Sequence, residues 1–293
     1  MPAAHVIQSS FLMERSVTVT SALAAMRHGL HDTDGRALLR RVLGVSDAQL
    51  IAHPGRILTP MEQQHFEYFA ARRAMGEPLA YLLGEREFFS RTFKVTPEVL
   101  IPRPETEMLV ELALEHIPLH QSCRVLDLGT GSGCVAITIA LERPLASVLA
   151  TDISAAALMI AHDNAHVYGC TNIEFVCGDW LMPFGRDSFD IIVSNPPYIA
   201  TDDQHLDSLR FEPALALVAS GDDGLDAIRE IIAAAPRYLA EGGWLALEHG
   251  HDQANICRML LKTAEFKDIF SRRDLAGIER VGGGRLREGA VTS

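Results

Sequence analysis

The sequence predicts an α/β fold: a doubly wound, mostly parallel sheet, preceded by a small helical domain and joined to it by a β-hairpin. Three observations carry this. From about residue 105 onward, apolar runs without polar alternation are interleaved with longer stretches that suit crossover helices, the pattern of parallel strands covered on both faces. The first of those runs leads straight into a Gly-rich segment that opens a helix. Residues 17–75 instead repeat apolar side chains at three- and four-residue steps, which is helical periodicity.

Taken in order, residues 1–84 are expected to form the helical domain. Its first residues, MPAAHVIQSSFLMER, lack a basic start and a continuous apolar run, so they read as a tail and not as a signal peptide. SALAAMRHGL, GRALLRRVLG and a stretch from Pro60 follow as short helices, punctuated by Gly29, Gly44 and Pro54-Gly55, with Thr59-Pro60 as a helix start. Residues 85–104 alternate aromatic and β-branched with polar residues around Thr96-Pro97 and read as a hairpin connector. In residues 105–293 the strands are placed at 124–128, 147–152, 173–179, 189–195 and 244–250, with VAITIALER, SAAALMIAHDNAHVYG and LDAIREIIAAAPRYLAEGG as helices between them.

Composition narrows the function. The apolar stretches are broken by charge or Gly within about a dozen residues, short of the ~20 that a bilayer requires. Five cysteines without a C-x-x-C pair argue against a disulfide framework or a zinc knuckle and for a reduced, cytoplasmic setting. His249 and His251 beside Glu248 read as a polar loop, and no metal is assigned. Net charge is −12 and uneven: residues 1–105 carry 12 Lys/Arg against 11 Asp/Glu, residues 106–293 carry 14 against 27. Binding to nucleic acid leaves a basic footprint, so an acidic second part favours a protein substrate over nucleic acid; a monomer is expected.

Two segments carry the chemistry. After the first strand, Asp127-Leu-Gly129-Thr130-Gly131-Ser132-Gly133 runs into a helix; glycines let such a turn take positive φ and let a ligand approach the backbone. Gly131-x-Gly133-x-x-Ala136, with Asp152 ending the next strand, also satisfies a dinucleotide fingerprint. S-adenosylmethionine fits better, because a pyrophosphate would meet a carboxylate at Asp127, whereas Asp127 can hold the loop or the ammonium of that cofactor. Asp152 would take two ribose hydroxyls, Asp179 the adenine amino group and Trp180 the adenine face, with plain core packing the alternative for Trp180.

The second segment, Asn195-Pro196-Pro197-Tyr198, leaves the strand FDIIVS at the carboxyl edge of the sheet, where open α/β sheets bind ligands. Two prolines fix the backbone. The Asn195 side-chain oxygen and the Pro196 carbonyl can then accept hydrogen bonds from an amide NH2, whose lone pair is otherwise delocalised. Held partly pyramidal, that nitrogen could attack an activated methyl group in line, releasing S-adenosylhomocysteine. Tyr198 is expected to pack on the substrate side chain.

These residues resemble the class I amide and amine methyltransferases, a group that includes adenine-N6 enzymes acting on nucleic acid. Gly76-Glu-Pro-Leu-Ala-Tyr81, Gly84-x-x-Glu87-Phe88, Leu100-Ile-Pro-Arg103-Pro-Glu105-Thr-Glu107, Arg210-Phe-Glu212-Pro213 and Glu248-His-Gly250 narrow the resemblance to the bacterial release factor N5-glutamine methyltransferases, the PrmC/HemK family, over roughly residues 20–285. A sister family acting on a ribosomal protein tends to carry Ser where Pro104 stands and Val where His249 stands. The resemblance implies a Rossmann-like S-adenosylmethionine-dependent domain and a helical domain that helps hold class 1 release factors. It also implies a target glutamine in a Gly-Gly-Gln loop, with Gly129 to Gly133, Asp152, Trp180 and Asn195 on the cofactor and Asn195 to Tyr198 gripping the substrate. Arg103 and Glu105 are candidates for facing the substrate. One departure is the run Glu279-Arg-Val-Gly-Gly-Gly-Arg285, from which a weak final strand is expected. A chain that only binds release factors through its helices is the non-enzymatic alternative, against which the intact Gly loop, Asp152 and Asn195 speak.

Overall fold

The computed structural model describes residues 16–26, 31–185 and 188–287. The tail at 1–15, the break at Gly29 and the last six residues lie outside them. The chain divides into two compact units, residues 1–83 and 84–293. The first holds helices α1 (Val19–Met26), α2 (Asp32–Leu43), α3 (Asp47–Ala52), α4 (Pro60–Ala74) and α5 (Leu79–Leu83) around Leu38, Leu39, Leu50 and Phe66. Two capping boxes start α3 and α4: Ser46 with Gln49, and Thr59 with Glu62, the latter followed by Pro60 at the first helical position.

The second unit opens with the hairpin β1 (Glu85–Phe88) and β2 (Arg91–Lys94). Its turn is Phe89-Ser90, with φ of 49° and 58°, and not the Thr96-Pro97 region expected from sequence. Two consecutive left-handed residues match the strand twist, and the Phe89 N–H is taken up by Glu107 Oε1 at 2.8 Å. The unit continues through α6 (Glu107–His116), β3 (Cys123–Leu128), α7 (Cys134–Glu142), β4 (Ala146–Asp152), α8 (Ala155–Val167) and β5 (Ile173–Cys177). Beyond these lie β6 (Phe189–Ser194), α9 (Ala214–Leu217), α10 (Asp226–Ala234), β7 (Leu239–Glu248), α11 (Ala254–Thr263), β8 (Phe266–Arg273) and β9 (Glu279–Leu286).

Seven strands form one sheet in the order β5-β4-β3-β6-β7-β9-β8, parallel from β5 to β7, with β9 antiparallel to both its neighbours. Alternate residues of each strand serve opposite faces. Val125, Val148 and Val193 pack with Leu109 of α6 and Ile139 of α7, while Leu126, Ile192 and Leu245 pack with Ile228 of α10 and Leu261 of α11. The chain steps outward from β3 through β4 to β5, then returns to lay β6 on the other side of β3. That reversal opens a crevice beyond the carboxyl ends of β3, β4 and β6.

The final strand is not weak. β9 pairs over five positions with β7 and six with β8, and its glycines are what permit this. A Cβ on Gly283 would lie 2.1 Å from the Leu245 carbonyl oxygen and 2.7 Å from the Phe270 ring. The run that looked like a strand breaker is a close-packing requirement. The helix expected to extend to 243 stops at Ala234, a short turn containing Pro236 follows, and Leu239–Gly243 already belongs to β7.

Candidate functional site

A cavity of about 420 Å³ lies in the crevice, lined by Asp127, Gly129, Thr130, Gly131 and Ser132 from the Gly loop, Asp152 from β4, Asp179 and Trp180 after β5, and Asn195 and Pro197 after β6. Residues separated by up to 70 positions in sequence thus face one space. Arg103 lines it too. Of the other candidates, Gly133 and Pro196 are buried next to lining residues, Glu105 lines a separate hollow beside α6 and β8, and Tyr198 turns towards β7.

Each part of the loop has a local cause. Gly129, Gly131 and Gly133 have φ of 71°, 55° and 80°, values that L side chains rarely adopt. At Gly133 there is also no room: a Cβ would meet Ile137 Cδ1 at 2.8 Å and Ala161 Cβ at 3.1 Å. At Gly131 a Cβ would meet nothing within 4 Å, so it would project into open space. The buried Asp127 accepts from Thr130 Oγ1 at 2.7 Å, bracing the loop, and burial, opposed by that bond, pushes its carboxyl up to about 7. Asp152 Oδ2 accepts from the Gly131 N–H and Oδ1 from the Ser154 N–H, both at 2.9 Å; burial raises its pKa against those bonds. Trp180 (φ 39°) sets its ring 3.4 Å from where a Gly129 Cβ would stand, and it both packs on the apolar core and forms part of the wall.

At the other side of the cavity, Asn195 Nδ2 donates to Thr106 Oγ1 at 3.1 Å, and Thr106 Oγ1 donates to Glu248 Oε2 at 2.6 Å. Tyr198 Oη donates to Glu248 Oε1 at 3.1 Å. Glu248 and His249, read from sequence as part of a polar loop, are each 1% exposed: Glu248 ends β7, and only His251 stands in solvent. Burial drives the Glu248 carboxyl up to about 7, opposed by the bonds from Thr106 and Tyr198. Sequence reasoning missed Thr106 and underrated Glu248, although both sit in the segments that carry the family resemblance. Arg103 Nη2 is paired with Glu212 Oε1 at 2.6 Å, and Glu212 Oε2 accepts the Ile101 N–H at 3.1 Å, which ties the segment before α6 to the one before α9.

The cavity fits an adenosyl cofactor bearing a positive charge. Gly131 leaves an open cradle, Asp152 and Asp179 offer acceptors, and Trp180 supplies an aromatic face. Six carboxylates and one guanidinium line the wall, a charge balance that suits a cation and repels a phosphate chain. Among the described residues no His, Cys, Asp or Glu cluster is grouped to hold a metal ion, and no helix is long and apolar enough to cross a membrane.

Known proteins bear on this arrangement. The family model described as PrmC N-terminal domain matches residues 18–84, and the one described as Methyltransferase small domain matches residues 106–212. A release factor glutamine methyltransferase of Coxiella burnetii is 49% identical over 248 residues, covering 85% of this chain and 89% of its own length. Its counterpart in Bordetella pertussis is 49% identical over 261 residues, covering 88% and 96%. The crystal structure of a methyltransferase from Pyrococcus furiosus shares the fold, with a TM-score of 0.53 at 17% identity over 74% of this chain and 97% of that one. With both units matched and near-half identity over most of its length, the chain is an enzyme of the release factor glutamine methyltransferase family.

Proposed function

We propose that the protein transfers a methyl group from S-adenosylmethionine to the side-chain nitrogen, N5, of the glutamine in the Gly-Gly-Gln loop of class 1 peptide chain release factors, acting as a monomer in the cytoplasm. The observation that carries this reading is that Asn195 opens onto the same cavity as the Gly loop and Asp152, so an amide held by Asn195 would meet a cofactor held by the glycines. The names of the relatives support the substrate class. The acidic lining supports a cationic cofactor and disfavours a nucleic acid strand.

When bound, S-adenosylmethionine supplies an electrophilic methyl group on a sulfonium sulfur. The Gly129–Gly133 backbone, Asp152 and Asp179 would hold it, with Trp180 against the adenine. Asn195 Oδ1 and the Pro196 carbonyl would accept the two N–H bonds of the glutamine amide and hold its lone pair towards the methyl group. The proton released after transfer leaves to water, so no strong base is required. Positioning and fixed dipoles carry the rate. Pro197, on the cavity wall, would touch the substrate chain; Tyr198 faces Glu248 and is set aside as a group that touches substrate.

The test is transfer of label from methyl-labelled cofactor to purified release factor, to release factor with the loop glutamine replaced, or to DNA. Label on release factor only when the glutamine is present supports the reading. Label on DNA overturns it.

A further inference from the structure

We propose that Glu248 and Thr106 are positioning residues for the reaction: Glu248 fixes the rotation of the Thr106 hydroxyl, which fixes the Asn195 amide so that its oxygen, and not its nitrogen, faces the substrate. The inference deepens the proposed function and rests on it.

A carboxamide presents an oxygen on one side and an NH2 on the other, and the two are related by a 180° turn about the last side-chain bond. For a loop that must accept hydrogen bonds from a substrate NH2, the wrong turn is fatal, since it sets donor against donor. Asn195 Oδ1 accepts no hydrogen bond from the described residues, whereas Nδ2 is bonded to Thr106 Oγ1. That bond selects the turn only if Thr106 presents a lone pair. A threonine hydroxyl has one proton, and here it goes to Glu248 Oε2 at 2.6 Å. With its proton so used, Thr106 Oγ1 offers only lone pairs to its other neighbour, and Asn195 must answer with N–H.

The relay is shielded from water, which would otherwise supply protons and acceptors indiscriminately: Thr106 is 3% exposed and Glu248 1%. The second oxygen of Glu248 is taken by Tyr198 Oη at 3.1 Å. One carboxylate at the end of β7 therefore holds both ends of the four-residue loop, Tyr198 directly and Asn195 through Thr106. Neither positioning residue needs to touch the reacting atoms.

Thr106→Val keeps the shape and removes the relay; Thr106→Ser restores the hydroxyl. Initial rates with purified release factor and labelled cofactor should show kcat lower by about 10- to 100-fold in Thr106→Val, with cofactor Kd by calorimetry and the release factor KM each within about threefold of wild type, and with Thr106→Ser back within about threefold in kcat. An unchanged kcat in Thr106→Val, or a Thr106→Ser no better than Thr106→Val, overturns the proposal. A measurement on the wild type does not depend on how the Thr106 variants fold. The side-chain NH2 of Asn195, assigned by its disappearance in Asn195→Asp, should show a proton protected from solvent exchange by NMR, and exchange as fast as in an exposed carboxamide overturns the assignment. Failure of the wild type to label release factor would defeat the functional reading instead, and the NMR result would still decide the relay.

Discussion

The backbone N–H of Gly131 donates to Asp152 Oδ2 at 2.9 Å, joining the Gly loop after β3 to the end of β4. The same carboxylate takes the Ser154 N–H at the start of α8. Asp152 thus organises the Gly-loop side of the cavity and, in the proposed function, offers its remaining lone pairs to the cofactor.

Asp152→Asn puts an NH2 where one of those N–H groups points. Bonds to a charged acceptor contribute about 1.5–3 kcal/mol, so S-adenosylmethionine should bind roughly 10- to 100-fold more weakly in a calorimetric titration. Binding within twofold of wild type would show that Asp152 serves the loop alone.

Asn195→Ala should behave differently. Removing one preorganised hydrogen-bonding group from a reacting centre costs about 10²- to 10³-fold in kcat, while cofactor affinity should stay within a few-fold of wild type. Equal losses in both would make Asn195 chiefly a cofactor ligand.

Gly131→Ala and Gly133→Ala should separate affinity from stability. At Gly133 the new Cβ is both strained (φ 80°) and 2.8 Å from Ile137 Cδ1; left-handed strain and overpacking each cost about 1–3 kcal/mol, so urea unfolding should show a loss of about 2 kcal/mol or more. At Gly131 the Cβ meets nothing within 4 Å, so the stability loss should be the smaller of the two, while cofactor binding falls because the methyl projects into the cradle. A Gly131→Ala protein that is the less stable of the pair would contradict the packing described.

Asp127 and Glu248 are both raised to about 7, first by burial. The folded state therefore holds more protons than the unfolded chain between about pH 4 and 7, and this stabilisation is complete below the unfolded carboxylate range and lost as pH rises through 7. Each group lowers the unfolding free energy by at most about 1.4 kcal/mol per pH unit across that window, so Asp127→Asn should flatten the measured slope. Activity should move the other way. Glu248 must be ionised to accept from both Thr106 and Tyr198; Glu105 opposes and Arg280 favours that ionisation. In wild type kcat should rise as pH passes 7, and in Glu248→Gln the contribution of this group to the profile should vanish. An identical profile in the two proteins would exclude Glu248 from the active form.

The parallel part of the sheet was legible because its strands are mainly apolar without polar alternation and its loops carry residues of narrow conformational range: glycines after β3 and a double proline after β6. The helix start at Thr59-Pro60 was legible from its local chemistry. The hairpin turn was not, since Phe89 and Ser90 are unusual in left-handed geometry and Thr96-Pro97 is a stronger turn signal. β8 and the pairing of β9 were hidden because a glycine run lowers strand propensity, whereas tertiary packing against Leu245 and Phe270 demands it. Within the site, Gly131, Asp152 and Asn195 could be named from motif order. The Asn195–Thr106–Glu248 chain could not, because it joins positions 195, 106 and 248 through side chains and no spacing rule brings them together.

Gly282 sits against the ring of His249, where an added methyl would stand 3.4 Å from two ring atoms, and His249 directly follows Glu248. A strand that contributes nothing to the cavity wall therefore backs the residue on which the opposite end of the crevice is anchored. A side chain larger than a methyl at Gly282 would push from behind on the imidazole next to the carboxylate that fastens the double-proline turn and register as lost turnover, whereas any side chain at Gly283 would strike the Leu245 carbonyl and register as lost fold.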